Sequence, residues 1–284
     1  MHSNLLHINL NKCFFIHFDP KTRKNNNPNT ASESKIKIGN HIIEEVSEAR
    51  FLGVTIDKKL SWTPHIEHIR KKLKSANGII RRIRNFIPKN QFKSIYFALF
   101  ESHITYCISV WGGVSKVHID KLFRLQKQCI RMLFGDQNLF MNKFSATEQM
   151  AQSPQANLDN DFYCKEHTKP LFKENNILII HNLYKYHIAF EIFKIIKTRI
   201  PISSFEQFNM SSRNNGNLII LGPYSSQFFF LGAKLWNTIA KRIIPHNDIL
   251  SIKFGNFKNK LKSLLLNNQH LFDSDTWLQQ NFIL

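Results

Sequence analysis

At Thr63-Pro64 the chain changes period, and that change limits what it can fold into. Before it, apolar residues come in short runs suited to strands. Residues 13–18 (CFFIHF) are aromatic and β-branched. Residues 35–38 and 41–46 alternate around Gly39-Asn40, the signature of a β-hairpin. Residues 51–56 (FLGVTI) read as one further buried strand. The Asn-, Lys- and Ser-rich residues 21–34, with Pro28, read as a loop.

After Thr63-Pro64, with Thr63 as N-cap and proline at the first helical position, apolar residues recur every three or four positions. Ile66, Ile69, Leu73, Ala76, Ile79, Ile80, Ile83 and Phe86 mark one face of a helix that Pro88 closes. A second helix is expected over about residues 90–108, with Phe92, Ile95, Tyr96, Leu99, His103 and Tyr106 near one face. Trp111-Gly112-Gly113 reads as a break, and a third helix is expected over 117–134. Residues 136–176 read as a linker with at most one short helix. Beyond it come a helix at 177–198, a short strand at 218–221, a transition into helix at 228–243 and a last helix at 249–266. That last helix is expected to turn Phe254, Phe257, Leu261, Leu264 and Leu265 inward. The fold class is α+β: a β region at 1–62, a basic three-helix region at 63–135, a linker at 136–176 and a mainly helical region at 177–284.

Charge adds a functional constraint. The formal net charge of the 284 residues is +19, and residues 63–135 contribute +11 of it. Between Glu67 and Glu101 there is no acid, while Arg70, Lys71, Lys72, Lys74, Arg81, Arg82, Arg84, Lys89 and Lys93 fall in that interval. A basic helix without interspersed acid is the electrostatic footprint of a phosphate-binding surface. A solvated helix face is the plain alternative. No run approaches 18 apolar residues, so no membrane helix is expected. Four cysteines far apart, with no CxxC, suggest neither a disulfide framework nor a zinc knuckle and fit an intracellular setting.

The chemistry of catalysis is thinly represented. Metal-dependent phosphoryl transfer needs convergent carboxylates, and the sequence has no Asp-Asp pair. Asp159 and Asp161 are its nearest approach, in a linker-like stretch. His65 and His68 share a helix face without an evident third ligand. Cys107, placed on the second helix, reads as core rather than nucleophile.

Several blocks then read together. Asn9-Leu10-Asn11-Lys12 precedes a strand. Ala49-Arg50-Phe51-Leu52-Gly53-Val54-Thr55-Ile56-Asp57 is followed by Leu60-Ser61-Trp62 and His65. Next come Tyr106, Val110-Trp111-Gly112, Leu125-Gln126 with Arg131, and Gly232-Ala233-Lys234-Leu235-Trp236-Asn237. In this order they resemble the reverse transcriptases of non-LTR, jockey-like retrotransposons, over most of residues 9–135 and 178–266.

The resemblance implies the rear part of such a polymerase: the end of the palm, the primer grip, the thumb and a C-terminal region. The family's metal-binding aspartates belong to segments upstream of its Leu-Asn-x-x-Lys block. It implies a leaving-group lysine at Lys12, a primer grip at Phe51, Leu52 and Gly53, and thumb contacts to nucleic acid by Arg70, Lys71, Lys74, Arg81, Arg82 and Arg84. It implies an RNA–DNA template-primer duplex as partner, together with the remaining polymerase segments, and Mg2+ only for an intact enzyme. A fragment inactive alone is the leading expectation. A co-opted nucleic-acid-binding or structural protein is the alternative.

Overall fold

The computed structural model describes residues 9–18, 36–135, 168–200, 218, 227–240, 243–244 and 251–267. Its residues divide into two compact units, Met1–Ile69 and Arg70–Leu284. The α+β expectation holds: short strands lie at the N-terminal end and helices make up nearly all the rest.

In the first unit, β1 (Phe14–Phe15) pairs in parallel with β4 (Glu44–Glu45). The hairpin expected around Gly39-Asn40 is present, with β2 (Lys37–Ile38) antiparallel to β3 (His41–Ile42) and Gly39 at φ 62°. The strand expected at 51–56 is instead the middle of a second hairpin. β5 (Glu48–Phe51) and β6 (Val54–Asp57) pair antiparallel, with Phe51 opposite Val54. Leu52 and Gly53 form the two-residue turn at φ 45° and 84°. Positive φ at both central positions gives the turn whose twist matches paired strands, and glycine adopts it without strain.

Asp57 fixes the path of the chain out of β6. Its carboxylate accepts hydrogen bonds from the backbone N–H groups of Ser61 (3.0 Å) and Trp62 (2.8 Å). Burial pushes its pKa up, but these bonds and that of the Ser61 side chain outweigh it, and the pKa lies below the ordinary value. The chain bends through Leu60 and Trp62, both at positive φ, into α1 (Thr63–Ile83). At the start of α1, His65 is buried and its Nδ1 accepts the Thr55 N–H at 3.3 Å.

Helix α1 buries Ile66, Ile69, Leu73, Ala76 and Ile80 as its spacing foretells, while Ile79 and Phe86 are exposed. In the second unit, the helix expected over 90–108 is α2 (residues 92–105), and its middle, Tyr96–Glu101, widens into a π turn. The wide turn shifts the buried stripe to a strict four-residue spacing: Phe92, Tyr96, Phe100, Ile104, Ile108. Leu99 and His103, placed on that face by a 3.6 period, are only half-buried. Cys107 is not inside a helix; it sits at φ 52°, where the chain breaks before α3 (Ile108–Trp111).

Helix α4 (Lys116–Phe134) comes next. Thr168 precedes the short α5 (Lys169–Glu174), which falls in the expected linker; the linker's residues 136–167 lie outside the described residues. Helix α6 (Ile180–Thr198) is apolar around most of its circumference, burying Ile180, Leu183, Ile188, Ile192, Phe193 and Ile196 among others. A helix apolar on most sides belongs at a centre, and α3, α4, α7 (Gln227–Leu235) and α8 (Phe254–Asn267) all contact it. In α8, Phe257, Leu261 and Leu265 are buried as expected; Leu266 is buried rather than Leu264, and Phe254 is exposed. Residues 70–135 and the later helices fall within the second unit. Of the expected strand at 218–221, only Leu218 is described.

Candidate nucleic-acid interface

Helix α1 presents its charges opposite its apolar stripe. Lys71, Lys72, Lys74, Arg81 and Arg82 are exposed and Arg70 is half-buried. At roughly 100° per residue, Arg70, Lys74 and Arg81 fall within about 40° of one another, and Lys71 and Arg82 lie within about 20° on the neighbouring strip. The row from Arg70 to Arg81 is about 16 Å long. Arg81 and Arg82 also stand in the helix's last turn, where positive charge is favoured by the backbone carbonyls alone. Arg84 differs from its neighbours. It lies beyond α1 in a short 3-10 turn, only 8% exposed, and burial holds its pKa below the usual arginine value. Of the six expected contact residues, Lys71, Lys74, Arg81 and Arg82 are thus exposed, Arg70 is half-buried and Arg84 is buried.

In the first unit, Phe51 and Leu52 are 65% and 75% exposed at the β5–β6 tip, with Gly53 beside them. The two apolar side chains of this tip are therefore outside the core. Lys12 is exposed at the end of a single 3-10 turn, Leu10–Lys12. Among the described residues no three His, Cys, Asp or Glu side chains are grouped as a metal would require. Asp159 and Asp161 lie outside the described residues.

Many residues of the recognised blocks are architectural. Asp57, Ser61, Trp62 and His65 brace the path from β6 into α1 through their hydrogen bonds. Trp111 is buried and its Nε1–H donates to the Tyr106 carbonyl at 2.8 Å. Gln126, fully buried, donates to the Tyr96 hydroxyl (2.8 Å) and the Leu178 carbonyl (2.9 Å), and accepts from the Ile180 N–H (2.9 Å). Asn237 pairs with both backbone groups of Leu218 at 2.9 Å. Gly112 lies under the Tyr184 ring and Gly232 under Ile192, both on α6, where a Cβ would collide. The sequence carries no signal for these pairings, because partners such as Ile180 for Gln126 and Tyr184 for Gly112 are remote in the chain.

One further polar cluster has no signature in the sequence. The Glu101 carboxyl is raised to about 7, chiefly by burial, against the opposing pull of Lys262 and the Tyr96 hydroxyl. Lys262 is lowered by burial and by Lys93, while Glu101 pulls it up.

No family model and no solved structure matches the chain. Curated relatives do. The RNA-directed DNA polymerase from mobile element jockey of Drosophila melanogaster is 24% identical over 133 residues, 45% of this chain and 13% of that protein. The probable RNA-directed DNA polymerase from transposon BS of the same fly is 24% identical over 127 residues, 44% of the chain and 13% of the relative. The jockey polymerase of Drosophila funebris is 24% identical over 104 residues, 35% of the chain and 11% of the relative. The chain thus matches only about an eighth of the length of these relatives. Over that part of its sequence, it is similar to RNA-directed DNA polymerases from mobile element jockey and transposon BS.

Proposed function

We propose that the chain supplies template-primer-binding parts of a retrotransposon RNA-directed DNA polymerase and does not polymerise alone. The observation that carries this reading is α1: Lys71, Lys74, Arg81 and Arg82 exposed, with Arg70 half-buried, on a helix whose opposite face is core. Such a helix can follow the phosphates of an RNA–DNA duplex with little regard to base sequence. Phe51, Leu52 and Gly53 act as a primer grip, the hairpin tip presenting apolar side chains and a close backbone to the primer strand. Lys12 serves the leaving group only where the metal-binding carboxylates are supplied by other polymerase segments, which are the second partner.

Mg2+ is bound by those segments and not by this chain. No helix among the described residues is long and apolar enough to cross a membrane.

Binding of the chain to a labelled RNA–DNA hybrid should weaken steeply with salt, log K falling by roughly 0.9 per phosphate contact for each decade of salt. Salt-insensitive or absent binding sinks the reading. Primer extension with Mg2+ should give no product, and template-dependent synthesis would overturn the inactive part alone.

A further inference from the structure

Helix α8 carries two stripes. Phe257, Leu261 and Leu265 form the buried one. Asn259, Lys262, Ser263 and Asn267, at helical spacing, share a second, polar face. The end of α5 stands beside that face. Together they line a cleft of about 280 Å3, with Lys173 and Asn176 on the α5 side, the four polar residues of α8 on the other, and Leu266 among them. Among the described residues no carboxylate and no aromatic ring lines this cleft. Neither of its lysines is held in an ion pair among those residues.

A helix end with bare carbonyls repels anions. Here the end of α5 is capped. The Asn175 N–H and its side-chain amide both donate to the Leu171 carbonyl, at 3.2 and 2.8 Å. The Asn176 N–H donates to Lys173 (3.1 Å) and the Ile177 N–H to Phe172 (2.9 Å). Asn176 takes φ 55° to close the cap. In the last turn of α8, the Leu265 carbonyl accepts from Asn182 Nδ2 at 3.3 Å.

Lys262 is half-buried, its Nζ 5.5 Å from the centre of the Phe97 ring. Burial and Lys93 disfavour its charge, and Glu101 supports it. The Glu101 carboxyl, raised to about 7, is only about half ionised near neutrality. Three lysines thus face one partly ionised acid. An anion beside Lys262 and Lys173 supplies the partner that their surroundings withhold.

We propose that this cleft binds a small phosphate monoester that carries hydroxyl groups, of the sugar-phosphate class. Lys173 and Lys262 hold the phosphate. The amides and hydroxyl of Asn176, Asn259, Ser263 and Asn267 can donate and accept, as sugar hydroxyls require. The cleft is at the small end of the range of small-molecule sites, roughly 300–1,000 Å3. A nucleobase finds no ring in it to stack on. The site stands apart from the duplex-binding reading, whose residues lie on α1 and at the β5–β6 tip.

The test is calorimetric titration of the full chain with glucose 6-phosphate at fixed ionic strength, beside glucose and inorganic phosphate. Glucose 6-phosphate should bind more tightly than inorganic phosphate, and glucose should give no signal. Lys173→Gln and Lys262→Gln should each weaken binding roughly 10-fold, the worth of one charge-assisted hydrogen bond. Lys173 is exposed, so Lys173→Gln reports on the site even if the loss of Lys262 disturbs the fold. Lys260→Gln removes the same charge from α8 outside the cleft and should leave the affinity unchanged. Asn259→Leu should cost the ester its advantage over inorganic phosphate.

No binding of glucose 6-phosphate at about 10 mM overturns the site. So does an equal loss for Lys260→Gln and Lys262→Gln, which would assign the attraction to net charge alone. Equal affinities for inorganic phosphate and the ester overturn the sugar-phosphate assignment. Displacement of the ester by a short oligonucleotide at a far lower phosphate concentration would give the cleft to a polynucleotide backbone and overturn the small-molecule reading.

Discussion

Gln126 has no access to water and three hydrogen bonds to groups equally enclosed. Its amide joins α2 through Tyr96, and it satisfies both the Leu178 carbonyl and the first N–H of α6. Truncation leaves two buried backbone groups unpaired, the Leu178 carbonyl and the Ile180 N–H, each costing about 1–3 kcal/mol, and removes one of the two partners of the Tyr96 hydroxyl. Gln126→Leu should therefore destabilise the chain by about 3–5 kcal/mol, read as a lowered urea midpoint. Gln126→Glu keeps the shape but buries a charge beside the Leu178 carbonyl, and should be no better. A loss below about 1 kcal/mol for Gln126→Leu would mean that the network is not structural. The same residue shows why part of a family resemblance is readable and its reason is not. Leu125-Gln126 is conspicuous in a helical pattern, but only the fold brings Leu178 and Ile180 to it.

At the scale of elements, α6 is the post against which the others are set, and the glycines of two recognised blocks mark where they approach it. A Cβ on Gly112 would meet the Tyr184 ring and the Ile108 carbonyl, and the latter is backbone that cannot swing aside. Gly112→Ala should cost about 1–3 kcal/mol through overpacking. Gly78→Ala, in a helix with open space at that position, should be neutral or stabilising. Equal melting temperatures for the two variants would refute the close approach.

Helices with one clean apolar stripe, α1 and α4, are legible because burial on one side imposes a 3.6-residue period. A 3.6 period misplaces the stripe of α2, because a π turn resets the phase and no local residue announces it. The β5–β6 hairpin reads as one strand because its turn puts Leu52 at positive φ, where Asn or Gly is the usual signal. The basic face of α1 is legible for the same reason as its core, except at Arg84, where the 3-10 turn after α1 carries the side chain inward.

For the whole molecule, the consequence of these packings is a stability that depends on pH through a few enclosed groups. Glu101 on α2 faces the Tyr96 hydroxyl on its own helix, Tyr186 of α6, whose pKa burial and Glu101 both raise, and Lys262 of α8. Folding raises the Glu101 carboxyl from 4.5 to about 7, with burial the largest cause. The folded state therefore holds this proton more tightly than the unfolded chain. The resulting stability is full below about pH 4.5 and is lost as pH rises toward 7, by about 3 kcal/mol at most. His103 and His187 act in the opposite sense: burial lowers both, so they remove stability as pH falls below 6.5. Between pH 4.5 and 6.5 the two effects oppose each other, and the wild-type profile should be shallow there. Glu101→Gln removes one of them while keeping a hydrogen-bonding side chain beside Tyr96. Relative to wild type, the variant should gain stability as pH rises from about 4.5 to about 8, with most of the gain complete by about pH 7.5. Its own stability should fall more steeply than that of wild type on acidification below pH 6.5. Urea midpoints at about pH 5, 6, 7 and 8 measure both. Parallel curves for the two proteins across that range would show that Glu101 is not enclosed as described, and with it that α8 does not lie against α2 through Lys262.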